Sequence, residues 1–158
     1  MRIGILSRNP GLYSTRRLAE TARERGHRVE IIDTTTVAVH IGHNNNSAAV
    51  PQRLVASQPG TAETTKLPML DAVIPRIGTS VTFYGLAVVR QFETAGVLTT
   101  ASSSAIARSR DKLQSLQLMS QVGLPIPRTA VVARPEALFS AIEAIGGLPA
   151  VVKLISGT

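Results

Sequence analysis

Met1-Arg2-Ile3-Gly4-Ile5-Leu6-Ser7, the turn Asn9-Pro10-Gly11, a helical pattern from Ser14 to Arg25, and His27-Arg28-Val29-Glu30-Ile31-Ile32-Asp33 together decide the class of fold. Arg2 to Leu6 is a short apolar run of strand length, and Asn9-Pro10-Gly11 is turn chemistry. Leu18, Ala19 and Ala22 recur at helical spacing; Ser14 is placed to cap that helix and Gly26 to end it. Val29, Ile31 and Ile32 supply a second strand. Strand, helix and strand in so short a stretch make a β-α-β unit, which calls for a parallel sheet with helices on its faces.

Working outward, Asp71-Ala72-Val73-Ile74-Pro75 reads as a third strand. The helix after it carries Gly85, Val88, Val89 and Phe92 at i, i+3, i+4 and i+7, with Arg90 and Glu93 off that face. Val97 to Thr99 is a short fourth strand, so residues 1–100 are expected to form a small Rossmann-like α/β layer. Between its second and third strands, Thr34 to Pro68 holds Asn44-Asn45-Asn46, Gln58-Pro59-Gly60 and Thr61 to Thr65. This reads as a mobile insertion loop, with room for a hairpin around Val50 to Val55.

From residue 104 onward a second region begins. Ser103 to Arg108 is a helical turn, and Asp111 to Val122 a helix with Leu113, Leu116 and Met119 on its apolar side, stopped by Gly123. Pro125 and Pro127 mark a linker, and Arg128 to Val132 reads as a strand. Pro135 stands at the first position of another helix, packing Leu138, Ala141, Ile142 and Ile145 and ending at Gly146-Gly147. Ala150 to Ile155 is the last expected strand. The region 104–158 is thus an incomplete β-α-β unit.

Composition removes several classes of function. Seventeen Lys and Arg against ten Asp and Glu leave a formal charge of +7, but the basic residues are scattered rather than blocked. Aromatics make up only 3%, with no Trp, so stacking platforms for nucleic acid are scarce and no direct nucleic-acid partner is expected. The absence of cysteine excludes disulfides and thiol chemistry and fits a cytoplasmic protein. The N-terminal apolar run is too short for a signal peptide, and no stretch is long enough to span a bilayer. There is no G-x-G-x-x-G after the first strand, no Walker A motif, no Ser-His-Asp or Cys-His constellation and no carboxylate cluster for a metal.

Four places remain that suit chemistry. Lys153 lies among Val151, Val152, Leu154 and Ile155, and a lysine in a buried strand wants an anion. Ser156-Gly157-Thr158 follows as a small-residue loop able to bring backbone N–H groups to a phosphate. Lys112 stands at the start of a helix, where the dipole disfavours a cation unless a bound anion offsets it; an exposed lysine behind an Asp111 cap is the competing reading. Arg76 lies just past a strand's carboxyl end, where open α/β sheets bind ligands, and suits a bidentate carboxylate clamp or, equally, a structural salt bridge. Tyr13 and Ser14 share that edge as candidate substrate contacts, with helix capping the competing role for Ser14.

Asp71-Ala72-Val73-Ile74-Pro75-Arg76-Ile77-Gly78-Thr79, then Thr82-Phe83-Tyr84-Gly85 and Arg90-Gln91-Phe92-Glu93, resemble the RimK family. So do Met1 to Ser7, Leu12-Tyr13-Ser14, Ala105 to Leu113 and Val151-Val152-Lys153-Leu154. RimK proteins are ATP-grasp ligases that add glutamate to the C-terminus of a small-subunit ribosomal protein through an acyl-phosphate. The resemblance implies a pre-ATP-grasp domain over 1–100 and the truncated start of an ATP-grasp domain over 104–158. It matches Lys112 and Lys153 to the two lysines that contact ATP phosphates and the adenine region, and makes Ser156, Gly157 and Thr158 the opening of a glycine-rich lid. ATP with Mg²⁺, or Mn²⁺ in its place, is the implied cofactor, with the metal ligands and catalytic residues expected only beyond Thr158. Glutamate and the ribosomal protein are the implied partners, in a homo-oligomer.

Two departures bear on this. Members of the family extend far beyond this length, so these 158 residues alone are expected to be inactive. Ala101-Ser102-Ser103 stands where relatives carry Asn-Glu-Ser. Two other readings stay open. One is a sister ATP-grasp amine ligase acting on a deazaflavin or pterin cofactor or an amino-acid carrier protein. The other is a non-catalytic binding or oligomerisation module.

Overall fold

The computed structural model describes residues 1–41, 53–57 and 64–154. In chain order the elements are β1 (Arg2–Leu6), α1 (Tyr13–Glu24), β2 (Arg28–Ile32), a 3₁₀ turn (Thr34–Thr36), β3 (Val37–His40), β4 (Arg53–Ser57), β5 (Thr64–Lys66) and β6 (Ala72–Pro75). A second 3₁₀ turn (Thr79–Val81) leads into α2 (Thr82–Thr94), β7 (Leu98–Thr99), α3 (Ser103–Arg110) and α4 (Lys112–Gln121); a third (Pro135–Ala137) precedes α5 (Leu138–Ala144). The chain divides into two compact units, Met1–Ala107 and Arg108–Thr158.

In the first unit β2, β1, β6 and β7 form a parallel sheet in that order. The chain is α/β, as its opening stretch requires. β1 is central and closed to water on both faces: Ile5 and Leu6 are fully buried, as the strands of a parallel sheet covered by helices must be. Thr15, Ala19 and Ala22 are the buried residues of α1, and Gly85, Leu86, Val88, Val89, Gln91 and Phe92 those of α2. Leu18, expected on the core face, is only half-buried. Gly26 ends α1 with φ +79°, a conformation that glycine adopts at little cost.

The stretch expected as an insertion loop carries regular structure instead. Among the described residues of 34–68, β3, β4 and β5 make a three-stranded antiparallel sheet, with Val39 opposite Leu54 and Val55 opposite Lys66. Val37 and Leu54 join the same buried cluster as Leu6, Ile32, Leu70, Val73 and Phe92. Each such buried side chain contributes about 1.5–3 kcal/mol, and Tyr84 adds a hydrogen bond from its hydroxyl to the Val37 carbonyl at 2.6 Å. These strands are short and rich in Ala and Thr, so their alternation is masked by turn-forming residues around them. Residues 42–52, which include half of the expected hairpin, and 58–63 lie outside the described residues.

The second unit has helices where they are expected. Asp111 caps α4, its carboxylate accepting from the Gln114 N–H at 2.9 Å, and Pro135 opens the turn before α5. The two expected strands do not form among the described residues: 128–132 and 150–154 lie in no ladder. Val151, Val152 and Leu154 are 82%, 64% and 75% exposed, against the expectation of a buried strand. A strand has its backbone groups satisfied only by a neighbour, and neither segment has one among the described residues.

Candidate functional site

The sheet order makes β1 the switch point: β2 lies on one side of it, and the later strand β6 on the other. In such sheets the crevice beyond the carboxyl ends of the strands is where ligands bind. Leu6 is level with Ile32 and with Pro75, so the residues that follow, Ser7, Asp33 and Arg76, emerge at one height across three adjacent strands. They line a crevice of about 360 Å³ with Arg8, Asn9, Leu12 and Gly78.

Backbone bonds fix its floor. Ser7 N–H donates to the Ile32 carbonyl and Arg76 N–H to the Leu6 carbonyl, both at 2.9 Å. The buried hydroxyls of Ser7 and Thr15 share a hydrogen bond of 2.9 Å, which ties the first turn of α1 to the end of β1. Arg76 Nη2 donates to Ser14 Oγ at 3.0 Å, and Arg8 Nη1 reaches Ser80 Oγ at 3.4 Å. Asp33 Oδ1 accepts from the N–H and hydroxyl of Thr35, at 2.9 and 2.8 Å.

Ser14 does not cap α1. The cap position is Leu12, which makes no side-chain capping bond, and Ser14 lies inside the first turn with its hydroxyl turned to Arg76. Arg76 is in no ion pair within 4.0 Å among the described residues. Tyr13 opens α1 and is 72% exposed, beside Leu12 on the rim. Arg8 and Asp33 were not singled out from the sequence. Their signal was available: each follows a strand's carboxyl end within two residues, as Arg76 does.

In the second unit, Lys112 is the first residue of α4, exposed, behind the Asp111 cap. Lys153 is exposed in the segment after α5, not within a buried strand. Neither lysine has an ion-pair partner among the described residues. Ser156, Gly157 and Thr158 lie outside those residues. No group of three or more His, Asp or Glu able to hold a metal occurs among the described residues, and no helix there is long and apolar enough to cross a membrane. A separate polar joint had no sequence signal. Glu93 Oε1 accepts from the Ser103 N–H at 2.7 Å and Oε2 from its hydroxyl at 2.6 Å, fixing the start of α3.

Residues 1–106 match the model of the RimK PreATP-grasp domain, and residues 109–158 match that of the RimK-like ATP-grasp domain. The chain belongs to the RimK family. It is 51% identical over 158 residues to a probable alpha-L-glutamate ligase of Pseudomonas aeruginosa, and 49% identical to one of Marinomonas sp.. Each alignment covers 100% of this chain and 48% of the relative, so the chain spans about half the length of the curated relatives it matches. Among solved structures, a RimK domain ATP-grasp protein from Sphaerobacter thermophilus superposes with a TM-score of 0.63 at 19% identity, over 92% of this chain and 47% of that one. A RiPP-associated ATP-grasp ligase from Chryseobacterium gregarium, in complex with ADP and a leader and core peptide, gives 0.54 at 18% over 90% and 47%. These likenesses establish the RimK-type ATP-grasp fold.

Proposed function

We propose that this chain is the N-terminal part of an ATP-dependent alpha-L-glutamate ligase, with residues 1–100 as its pre-ATP-grasp layer and the ATP-grasp fold beginning near residue 104. The observation that carries the reading is a match along the whole of this chain, at about 50% identity, to 48% of the length of ligases of that name, through both family domains that the chain matches. The acceptor in this reading is the C-terminus of a small-subunit ribosomal protein, and the working protein is a cytoplasmic homo-oligomer.

ATP supplies the phosphoryl group that activates the acceptor carboxylate. Lys112 and Lys153, exposed and without carboxylate partners among the described residues, suit its phosphates as point charges, with Ser156, Gly157 and Thr158 as the lid's opening. The described residues supply no ligand set for Mg²⁺. Arg76, Ser14 and Tyr13, at the switch-point crevice, form the substrate side.

The test is a graft in which this chain replaces the matching half of the Pseudomonas aeruginosa relative. Given ATP, glutamate and a peptide carrying the ribosomal C-terminus, the graft adds glutamate to the peptide, read as mass increments. Unmodified peptide alongside a modified cofactor or carrier protein refutes the ribosomal acceptor in favour of a sister amine ligase.

A further inference from the structure

We propose that Glu93 is a positioning residue for Lys112: its carboxylate anchors the helix that leads to that lysine and so keeps the lysine ordered for ATP. The proposal deepens the ligase reading, on which it rests for the role of Lys112; the geometry that carries it is independent of that reading.

Both oxygens of Glu93 hold Ser103. Oε1 accepts from the Ser103 N–H at 2.7 Å and Oε2 from its hydroxyl at 2.6 Å, while Thr99 Oγ1 reaches Oε1 at 3.5 Å. Glu93 is in no ion pair within 4.0 Å among the described residues, so its charge is directed at the first turn of α3. A helix start presents N–H groups without partners inside the helix and the positive end of its dipole, and an anion there stabilises it. The carboxylate stands on a firm base, since the two residues before it in α2, Gln91 and Phe92, are buried.

The helices that follow have little else to hold them. Ser103 is the one buried residue of α3, and α4 has none. Helices of eight and ten residues are marginal in water without packing, so the contact that buries Ser103 governs the order of what α3 carries. Asp111 alone separates α3 from α4, and Lys112 is the first residue of α4. Ser115 Oγ donates to the Arg108 carbonyl at 2.7 Å, which ties the first turn of α4 to the last turn of α3. Order imposed at Ser103 thus passes along one short helix and across one hydrogen-bonded joint to Lys112. A lysine in place for only a fraction of the time lowers the apparent affinity for its anion by that fraction.

Amide exchange on the chain itself, without ATP, reads the anchor. Glu93→Ala should speed exchange at Gln114 and Ser115, in the first turn of α4, about tenfold, the scale of one hydrogen bond to a charged group, although the Asp111 cap is untouched. Glu93→Gln keeps an acceptor for the Ser103 N–H and should restore most of the protection; Ser103→Ala, which removes one bond of the two, should lose less than Glu93→Ala. Tyr84→Phe, which weakens the first unit elsewhere, should leave Gln114 and Ser115 unchanged. The graft with the Pseudomonas aeruginosa relative reads the consequence. There Glu93→Ala should raise the KM for ATP about tenfold and leave the KM for glutamate unchanged. On a Lys112→Ala background it should add nothing to the KM for ATP, because the two act as one unit. Unchanged exchange at Gln114 and Ser115 in Glu93→Ala, the same acceleration there in Tyr84→Phe, or additive effects of Glu93→Ala and Lys112→Ala on the KM for ATP would overturn the proposal. The two readings fail separately. A graft that ligates with an unchanged KM for ATP in Glu93→Ala overturns the positioning role alone. A graft that consumes no ATP overturns the ligase reading, and exchange at Gln114 and Ser115 then decides whether Glu93 orders the start of α4.

Discussion

Gly85→Ala is a sharp test of how α2 holds the crevice. Gly85 is buried in the first turn of α2, and a Cβ added there would fall onto Ile77 Cγ2 and within 3.0 Å of its Cδ1. In an exposed helix the substitution would stabilise by about 1 kcal/mol. Here the obstructing methyl sits directly on the Ile77 Cβ of a buried side chain, so relief requires Ile77 to change rotamer within the packed core or its backbone to move. Overpacking of this kind costs about 1–3 kcal/mol. The clash therefore cancels or outweighs the propensity gain, for a net loss of up to about 2 kcal/mol. Ile77→Ala alone should cost about 2–5 kcal/mol, and the double variant should cost less than the sum by about 0.5–3 kcal/mol, since the truncated side chain makes room for the new methyl. Urea unfolding followed by tyrosine fluorescence reads the first unit alone, because the chain has no Trp and its two tyrosines, Tyr13 and Tyr84, both lie in that unit. A Gly85→Ala protein with a raised urea midpoint, or strict additivity in the double variant, would refute the reasoning.

Other substitutions probe single joints. Glu93→Ala removes both acceptors for Ser103 and should destabilise by about 1–3 kcal/mol, with faster amide exchange at Ser103 to Ile106; unchanged exchange there would show that the joint is idle. Tyr84→Phe removes the bond to the Val37 carbonyl and should cost about 0.5–1.5 kcal/mol by urea unfolding. Asp111→Ala should cost α4 about 0.5–2 kcal/mol, seen as faster exchange at Gln114 and Ser115; a helix that keeps its protection would mean that the cap contributes nothing.

The sheet and its helices were legible because burial imposed patterns that composition could not hide. Val88, Val89 and Phe92 recur at helical spacing because one face of α2 covers the sheet. Gly26, Gly96 and Gly123 follow helices at positive φ, and each was readable as a stop. The antiparallel sheet of β3, β4 and β5 was not legible. Val37 and Leu54 pack into the same core although a long polar stretch separates them, and no local window reports such a contact. The strands expected in the second unit show the opposite failure. Arg128 to Val132 and Ala150 to Leu154 have strand composition, but composition supplies no ladder partner. At the crevice, Arg76 was found from its place after a strand. Ser14 was mistaken for a cap because Ser at a helix start usually is one, and its pairing with Arg76 crosses 62 positions of sequence.

The central claim is that these residues form one half of a glutamate ligase. Glutamate-dependent ADP release tests it most directly, measured on the graft with the Pseudomonas aeruginosa relative, on that intact relative and on the purified 158-residue chain. Release by the graft at a rate comparable with the intact relative, and none by the chain alone, is the expected result. A folded graft that releases no ADP, or a chain that releases it unaided, would contradict the account.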